Sequence, residues 1–163
     1  MTFDELNSKD RNGFVGAIGW VFEGSPWVAE RAWDKRPFAT LDALHEALSS
    51  VVASAELAEQ LSLLRAHPEL GARASMSDTS SREQTSAGLD ALMHDDFERL
   101  RSLNLAYREK FGFPFLFAVR GCTAQDVLNA IERRLTSPRD EEHREALRQV
   151  YRIARFRLEG VIS

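Results

Sequence analysis

The stretch TLDALHEALSSVV, residues 40–52, shows which kind of fold this chain adopts. Its apolar residues recur every three or four positions, at Leu41, Leu44, Leu48, Val51 and Val52. This spacing places their side chains on one face of an α-helix. Thr40, just before the stripe, is a residue type that favours the N-cap position. The stretch therefore predicts a helix that packs one face against a core.

The helical period continues on both sides of this stretch. A second apolar stripe follows and must end near Pro68, because proline disfavours helical backbone in the residue before it. Further helix-start signals are spread along the chain; they are Ser25-Pro26, Ser54, Thr123 and Ser137-Pro138. We expect an all-α, single-domain bundle of about seven to nine helices, spanning residues 1–163.

One apolar run does not fit the helical pattern. FGFPFLFAV, residues 111–119, is interrupted by Gly112 and Pro114. A buried strand is one interpretation, but no other segment alternates in polarity and could pair with it. We expect instead one extended buried segment that crosses the helical bundle. Its backbone N–H and C=O groups then need side chains, water or a ligand as partners.

Composition and charge exclude several classes of function. With 44% hydrophobic and 28% charged residues, the chain is typical of a globular protein. Twenty-one Lys and Arg against 25 Asp and Glu argue against a dedicated nucleic-acid binder. The arginines between residues 133 and 157 alternate with acidic residues, which is typical of a solvated helix face.

The cysteine content and the absence of long apolar windows exclude further classes of protein. The single cysteine, Cys122, excludes an internal disulfide and a multi-cysteine zinc site. No window approaches the roughly 20 apolar residues that span a bilayer, and the N-terminus lacks signal-peptide features. We therefore expect a cytoplasmic protein that binds neither membrane nor nucleic acid.

His67 is the most distinctive of the four histidines. It ends a predicted helix, precedes Pro68 and leads into a small, polar loop. A histidine at a helix C-terminus interacts favourably with the helix dipole, and position alone favours this interpretation. The alternative is a histidine held at a rigid corner, where it projects into a cleft as an acid or base.

Ser80 and Glu83 also allow two interpretations. Their spacing is that of a capping box, the more frequent case, but a helix N-terminus can also bind an anion. Metal ligands could come from His67, Glu69, Glu83 and His94, yet no His-x-x-x-His or His-Glu-x-x-His spacing occurs. The sequence also lacks a glycine-rich phosphate loop and a Gly-x-Ser-x-Gly nucleophile motif. We expect no metal site.

Several stretches, taken in order, resemble the 2-oxo-4-hydroxy-4-carboxy-5-ureidoimidazoline (OHCU) decarboxylase family. They are FEGSPW at 22–27, RPF at 36–38, RAHPEL at 65–70, Ser80-x-x-Glu83-Gln84-x-x-Ala87-Gly88-Leu89, LN-x-AY-x-x-KFGFPF at 103–115, and Ile153-Ala154-x-x-Arg157-Leu158. The family usually has aspartate at the position of Glu69. The order of the pieces, which span almost the whole chain, makes the resemblance specific.

The resemblance implies a carboxy-lyase that converts OHCU to (S)-allantoin and CO2 in urate degradation. It further implies an all-α homodimer without cofactor, with His67 as catalytic acid/base and Glu83 as its partner. The implied substrate contacts are Pro68, Ser80, Gln84, Phe115, Leu116, Phe117, Ala118, Val119 and Arg157. Arg152 and Arg155 lie close to Arg157 in the sequence, so which of the three reaches the substrate stays open.

Two other functions are compatible with the same residues. One is a non-enzymatic helical interaction module, in which His67 ends a helix and Ser80 and Glu83 form a cap. The other is a metallohydrolase that uses His67, Glu69 and His94. Neither explains why so many ordered fragments match one family.

Overall fold

The computed structural model describes residues 1–70, Glu83 and residues 94–163. Within these residues all regular secondary structure is helical, which confirms the predicted all-α class. The α-helices are α1 (Phe3–Asn7), α2 (Arg11–Ile18), α3 (Trp27–Ala32), α4 (Leu41–Ala53), α5 (Leu57–Ala66), α6 (His94–Phe111), α7 (Ala124–Arg134) and α8 (Arg139–Glu159). Two short 3₁₀ helices cover Gly19–Val21 and Trp33–Lys35.

The predicted helix starts have mixed outcomes. Thr40 caps α4 by accepting a hydrogen bond from the Ala43 N–H, and Thr123 caps α7 in a capping box with Asp126. Ser54 and Ser25 are not N-caps, contrary to the prediction. Ser54 ends α4 instead, and the Ser25 hydroxyl donates to the Glu23 carbonyl at 3.1 Å.

The chain divides into two compact units. Unit one consists of Met1–Ala66 with Val150–Ser163, and unit two of His67–Gln149. The core of unit one includes the predicted α4 residues Leu44, Leu48, Val51 and Val52, all buried. The two chain termini meet in this unit, where the N-terminal ammonium group donates to the Val161 carbonyl at 3.1 Å. The single domain over residues 1–163 stays a prediction.

The core of unit two is an aromatic cluster around Tyr107 on α6. The ring centroids of Phe111, Phe115 and Phe113 lie 4.6, 5.3 and 5.9 Å from that of Tyr107. Residues 114–119, which carry part of this cluster, form neither helix nor strand, as the glycine and proline in the run predicted. The cluster therefore anchors an irregular segment to a helix.

In the part of the chain that the structure describes, none of the helices combines the length and the apolar character needed to cross a membrane.

Candidate active site

His67 lies directly after the end of α5, at the corner that the sequence predicted. The helix ends at Ala66, because Pro68 disfavours helical backbone at residue 67. The His67 side chain is 5% exposed, and Pro68 is half-buried. A histidine that only closed a helix at the surface would be solvated. This imidazole is instead enclosed by protein.

Gly24 contacts the end of α5 that leads into this corner. Its φ angle of 59° lies in the left-handed region, which favours glycine. A Cβ atom at this position would also lie only 3.1 Å from Cβ of Ala66. Gly24 therefore allows residues 23–25 to approach the last turn of α5 closely.

Asn104 on α6 contacts the segment that follows His67. Its side-chain amide donates to the Leu70 carbonyl at 2.8 Å, and the residue is 2% exposed. Asn104 lies on the apolar stripe of α6, together with Leu100, Tyr107 and Phe111. A polar residue in a buried stripe could have been recognised from the sequence as a structural or functional position.

The apolar segment predicted to line the site is buried as expected. Phe115, Leu116, Ala118 and Val119 are buried, and Phe117 is half-buried. The Leu116 carbonyl accepts a hydrogen bond from Nη1 of Arg134. The Ala118 N–H donates to Oε1 of Gln149 at 2.9 Å. Side chains therefore supply the partners that the irregular backbone was expected to need.

Arg134 belongs to a buried polar network. Its Nε donates to Oε1 of Glu142 at 2.7 Å, and the Tyr107 hydroxyl donates to the same oxygen. The guanidinium carbon lies 4.5 Å from the ring centroid of Phe115. Burial, reinforced by the hydrogen bond to Glu142, raises the pKa of Tyr107 far above its usual range. The phenol therefore remains a neutral donor.

This network corrects the prediction for the arginine-rich region. Arg134, Glu142 and Arg157 are buried, whereas the prediction assigned all these charges to a solvated face. The prediction holds for the exposed arginines Arg133, Arg139, Arg144, Arg148 and Arg152. The helical period was the signal that could have separated the two groups, because Arg134 continues the buried stripe of Val127 and Ile131.

Arg157 is the buried member of the three candidate arginines. It lies in unit one, is 5% exposed, and its Nη1 donates to Oε2 of Glu23 at 2.8 Å. Arg152 is exposed, and the half-buried Arg155 pairs with Asp42 and Glu159. Burial and a carboxylate partner hold the Arg157 guanidinium in one orientation.

The remaining predicted site residues are described only in part. Glu83 is helical and half-buried. Ser80 and Gln84 lie outside the described residues. Among the described residues, no group of three or more His, Cys, Asp or Glu side chains could hold a metal ion.

Comparison with known proteins identifies the family. Residues 7–159 match the family model of OHCU decarboxylase. This chain belongs to the OHCU decarboxylase family. The membership confirms the resemblance on which the predicted site residues depend.

Two relatives show how this family member compares in length. The chain is 45% identical over 159 residues to 2-oxo-4-hydroxy-4-carboxy-5-ureidoimidazoline decarboxylase of Halalkalicoccus jeotgali, covering 98% of this chain and 90% of that protein. It is 44% identical over 162 residues to the uric acid degradation bifunctional protein PucL of Bacillus subtilis. That match covers 99% of this chain and 33% of the longer protein.

Solved structures show the same fold as this family member. A crystal structure of (S)-allantoin synthase superposes with a TM-score of 0.83 at 32% identity, covering 99% of this chain and 54% of that one. An OHCU decarboxylase crystallised in the presence of (S)-allantoin superposes with a TM-score of 0.69 at 22% identity. That superposition covers 84% of this chain and 91% of the other, and it shows the fold alone.

Proposed function

We propose that this protein decarboxylates OHCU to (S)-allantoin and CO2 in urate degradation. The observation that carries the proposal is the 45% identity to a curated OHCU decarboxylase over nearly the full length of both chains. The family match over residues 7–159 supports it independently. Assembly into a homodimer and a cytoplasmic location stay predictions.

The substrate itself supplies the electron acceptor that decarboxylation requires. Breaking the bond to CO2 releases an electron pair, for which many enzymes provide a cofactor as acceptor. In OHCU the carboxylate-bearing carbon is bonded to the carbon of a ring C=N group. The electron pair therefore forms a C=C bond, and charge moves onto the ring nitrogen. The protein has to orient the substrate, stabilise this charge and move a proton.

We assign the proton transfer to His67. The ring hydroxyl loses its proton as it becomes a carbonyl, and the neighbouring ureido-bearing carbon gains one. The ring nitrogen that took up the charge gains a further proton from solvent. A side chain that performs such transfers contributes typically about 10²–10⁴-fold to the rate. Protonation from one face only would set the S configuration. The enclosed ring of His67, at a corner fixed by Pro68 and Asn104, supports this assignment.

We propose that Glu83 controls the tautomer and the protonation of His67. A carboxylate near an imidazole holds one tautomer and favours the protonated form. Glu83 carries this role from the family resemblance, and its half-buried helical position is compatible with it.

We assign substrate binding to residues on several elements. The backbone of residues 115–119 bonds the ureido and ring carbonyls, and Pro68, Ser80 and Gln84 complete these contacts. Arg157 bonds a carbonyl or the charge that develops on the ring. A tight clamp on the departing carboxylate would stabilise the ground state more than the transition state. The carboxylate therefore faces the apolar side chains of residues 115–119, where desolvation favours loss of its charge.

A turnover assay tests this function directly. OHCU is generated freshly from urate by the two upstream enzymes, and (S)-allantoin is followed by circular dichroism with and without EDTA. We expect the protein to accelerate formation of (S)-allantoin to the same extent in both conditions. Racemic product at the uncatalysed rate would contradict the proposal.

Replacing the imidazole tests the role of His67. The His67→Asn variant should lose at least about 10²-fold in kcat, the contribution of one acid/base group, and keep its helical circular dichroism. The matched control is His45→Asn, at a half-buried histidine whose Nε2 contacts the Tyr151 carbonyl at 2.7 Å. The control should keep wild-type turnover. Near-normal turnover in His67→Asn would remove this residue from the mechanism. An interaction module predicts that both variants change stability alone.

A further inference from the structure

Two side chains hold the 114–119 segment, through backbone groups that lie two residues apart. Arg134 donates to the Leu116 carbonyl, and Gln149 accepts from the Ala118 N–H. Leu116 and Ala118 are thus each fixed through one backbone group, on either side of Phe117.

Each of these two side chains is itself held by a second one. Arg134 donates through Nε to Glu142 at 2.7 Å, and Gln149 donates through Nε2 to Oε1 of Glu145 at 2.9 Å. Arg134, Glu142 and Gln149 are between 1% and 5% exposed. Their orientations are therefore set by hydrogen bonds inside the protein and not by solvent.

Stability alone gives little reason for such an arrangement. A buried ion pair is often no more stabilising than apolar side chains of the same volume, because both charges must be desolvated. What the polar side chains provide here is directed partners for an irregular backbone, which has no helix or sheet to satisfy it. Groups that recognise a ligand need their geometry held within about 0.5 Å by such supporting contacts.

We propose that Arg134 and Gln149 are positioning residues for substrate recognition. By holding the Leu116 carbonyl and the Ala118 N–H, they orient other backbone groups of residues 115–119 toward OHCU. Neither residue touches the substrate. The inference rests on the proposed function, which assigns substrate binding to this segment.

The Gln149→Met substitution tests the inference. It removes the acceptor for the Ala118 N–H and keeps a side chain of similar length. We expect KM for OHCU to rise about tenfold, equivalent to about 1.4 kcal/mol. The value of kcat should change little, because a contact made equally in the ground and transition states affects KM alone.

A double variant that exchanges the side chains of residues 145 and 149 tests whether the wild-type KM can be recovered. The double variant E145Q/Q149E exchanges the carboxylate and the amide. Residue 149 still accepts from the Ala118 N–H, and the bond between the two side chains reverses, with residue 145 now donating to residue 149. We expect this variant to recover most of the wild-type KM. Hydrogen exchange at residues 113–119 of the whole protein should be faster in Gln149→Met than in the wild type, and slower again in the double variant.

A second substitution covers the case in which Gln149→Met does not fold. Arg134→Lys keeps the positive charge beside Glu142, but a lysine lacks the planar fork that reaches Glu142 and Leu116 together. It should raise KM in the same way. The control is Glu132→Gln on α7, where the side chain is 43% exposed and KM should not change.

The outcomes separate this inference from the proposed function. An inactive wild-type protein overturns the proposed function and the inference with it. An active wild-type protein overturns the inference alone if folded Gln149→Met, or folded Arg134→Lys, has the wild-type KM. A lower midpoint of urea unfolding with unchanged KM also overturns the inference, because it shows a merely structural role.

Discussion

Two buried arginine–glutamate pairs, one in each unit, use the same chemistry in different surroundings. In unit two the side chains of Arg134 and Glu142 are 6% and 1% exposed, and in unit one those of Arg157 and Glu23 are 3% and 13% exposed. Glu142 also accepts from Tyr107, while Arg134 also donates to a backbone carbonyl of the irregular segment. The first pair is thus built into a network that supports backbone.

The pair in unit one has a different position in the chain. It joins side chains 134 residues apart, and Nη1 of Arg157 lies 3.5 Å from the Val21 carbonyl. Its glutamate, Glu23, is more exposed than Glu142. We infer that the pair in unit two holds the backbone of the irregular segment in place, and that the pair in unit one holds a guanidinium ready for a substrate.

Removing the two carboxylates separately should have the largest effect and test this difference. Glu142→Ala leaves Arg134 buried without a carboxylate partner. The free energy of unfolding of this variant should therefore be lower than that of the wild type by about 3–5 kcal/mol. Glu23→Ala should lose less, about 1–3 kcal/mol, because water can reach its site more easily. Urea denaturation measures both, with the surface variant Glu132→Ala as control. Equal losses in the free energy of unfolding for the two variants would contradict this difference between the two pairs.

The two arginines should differ in how they affect catalysis. Arg157→Lys keeps the charge beside Glu23 but loses the planar donor geometry. We expect kcat/KM for OHCU to fall about tenfold, equivalent to about 1.4 kcal/mol, with little change in the urea midpoint. Steady-state kinetics and unfolding of the same preparation measure both effects. An unchanged kcat/KM would place Arg157 outside the substrate site and leave its pair with Glu23 a structural role alone.

The tyrosines give the smallest and most local test. The pKa of each of the two tyrosines is raised, by burial in both cases, and for Tyr107 also by its bond to Glu142. Above about pH 10 the unfolded chain therefore loses these protons before the folded protein does, and stability falls as pH rises. Each group contributes at most about 1.4 kcal/mol per pH unit to this fall.

Tyr107→Phe and Tyr151→Phe separate the two contributions. We expect Tyr107→Phe to reduce the alkaline loss of stability more than Tyr151→Phe does, because Tyr107 has the larger shift in pKa. Urea denaturation between pH 9 and about 11 measures this slope. Equal slopes for the two variants would contradict the expected difference between the two tyrosines in this pH range.

The sequence predicted the elements of the fold because their signals are local. The stripe of α4, the caps at Thr40 and Thr123, and the end of α5 before Pro68 each depend on residues within a few positions of one another. The two wrong caps, Ser54 and Ser25, show the limit of these signals. A serine can end one helix or bond a nearby carbonyl as well as begin the next helix.

The supporting residues of the candidate site were harder to recognise. Asn104, Arg134, Glu142 and Gln149 are polar, and polar residues are normally interpreted as exposed. Their positions on the buried stripes of α6, α7 and α8 were visible in the sequence. What the sequence did not show was which backbone groups would meet them.

The amino-acid sequence by itself determined the helical class, the corner at His67 and the family, because each depends on short-range patterns or on fragments in a fixed order. Only the tertiary structure decided what the buried charges hold. The reason is that the partners of a buried charge are distant in sequence. Arg134 meets a carbonyl 18 residues away, and Arg157 meets a carboxylate 134 residues away. No local period encodes such pairings.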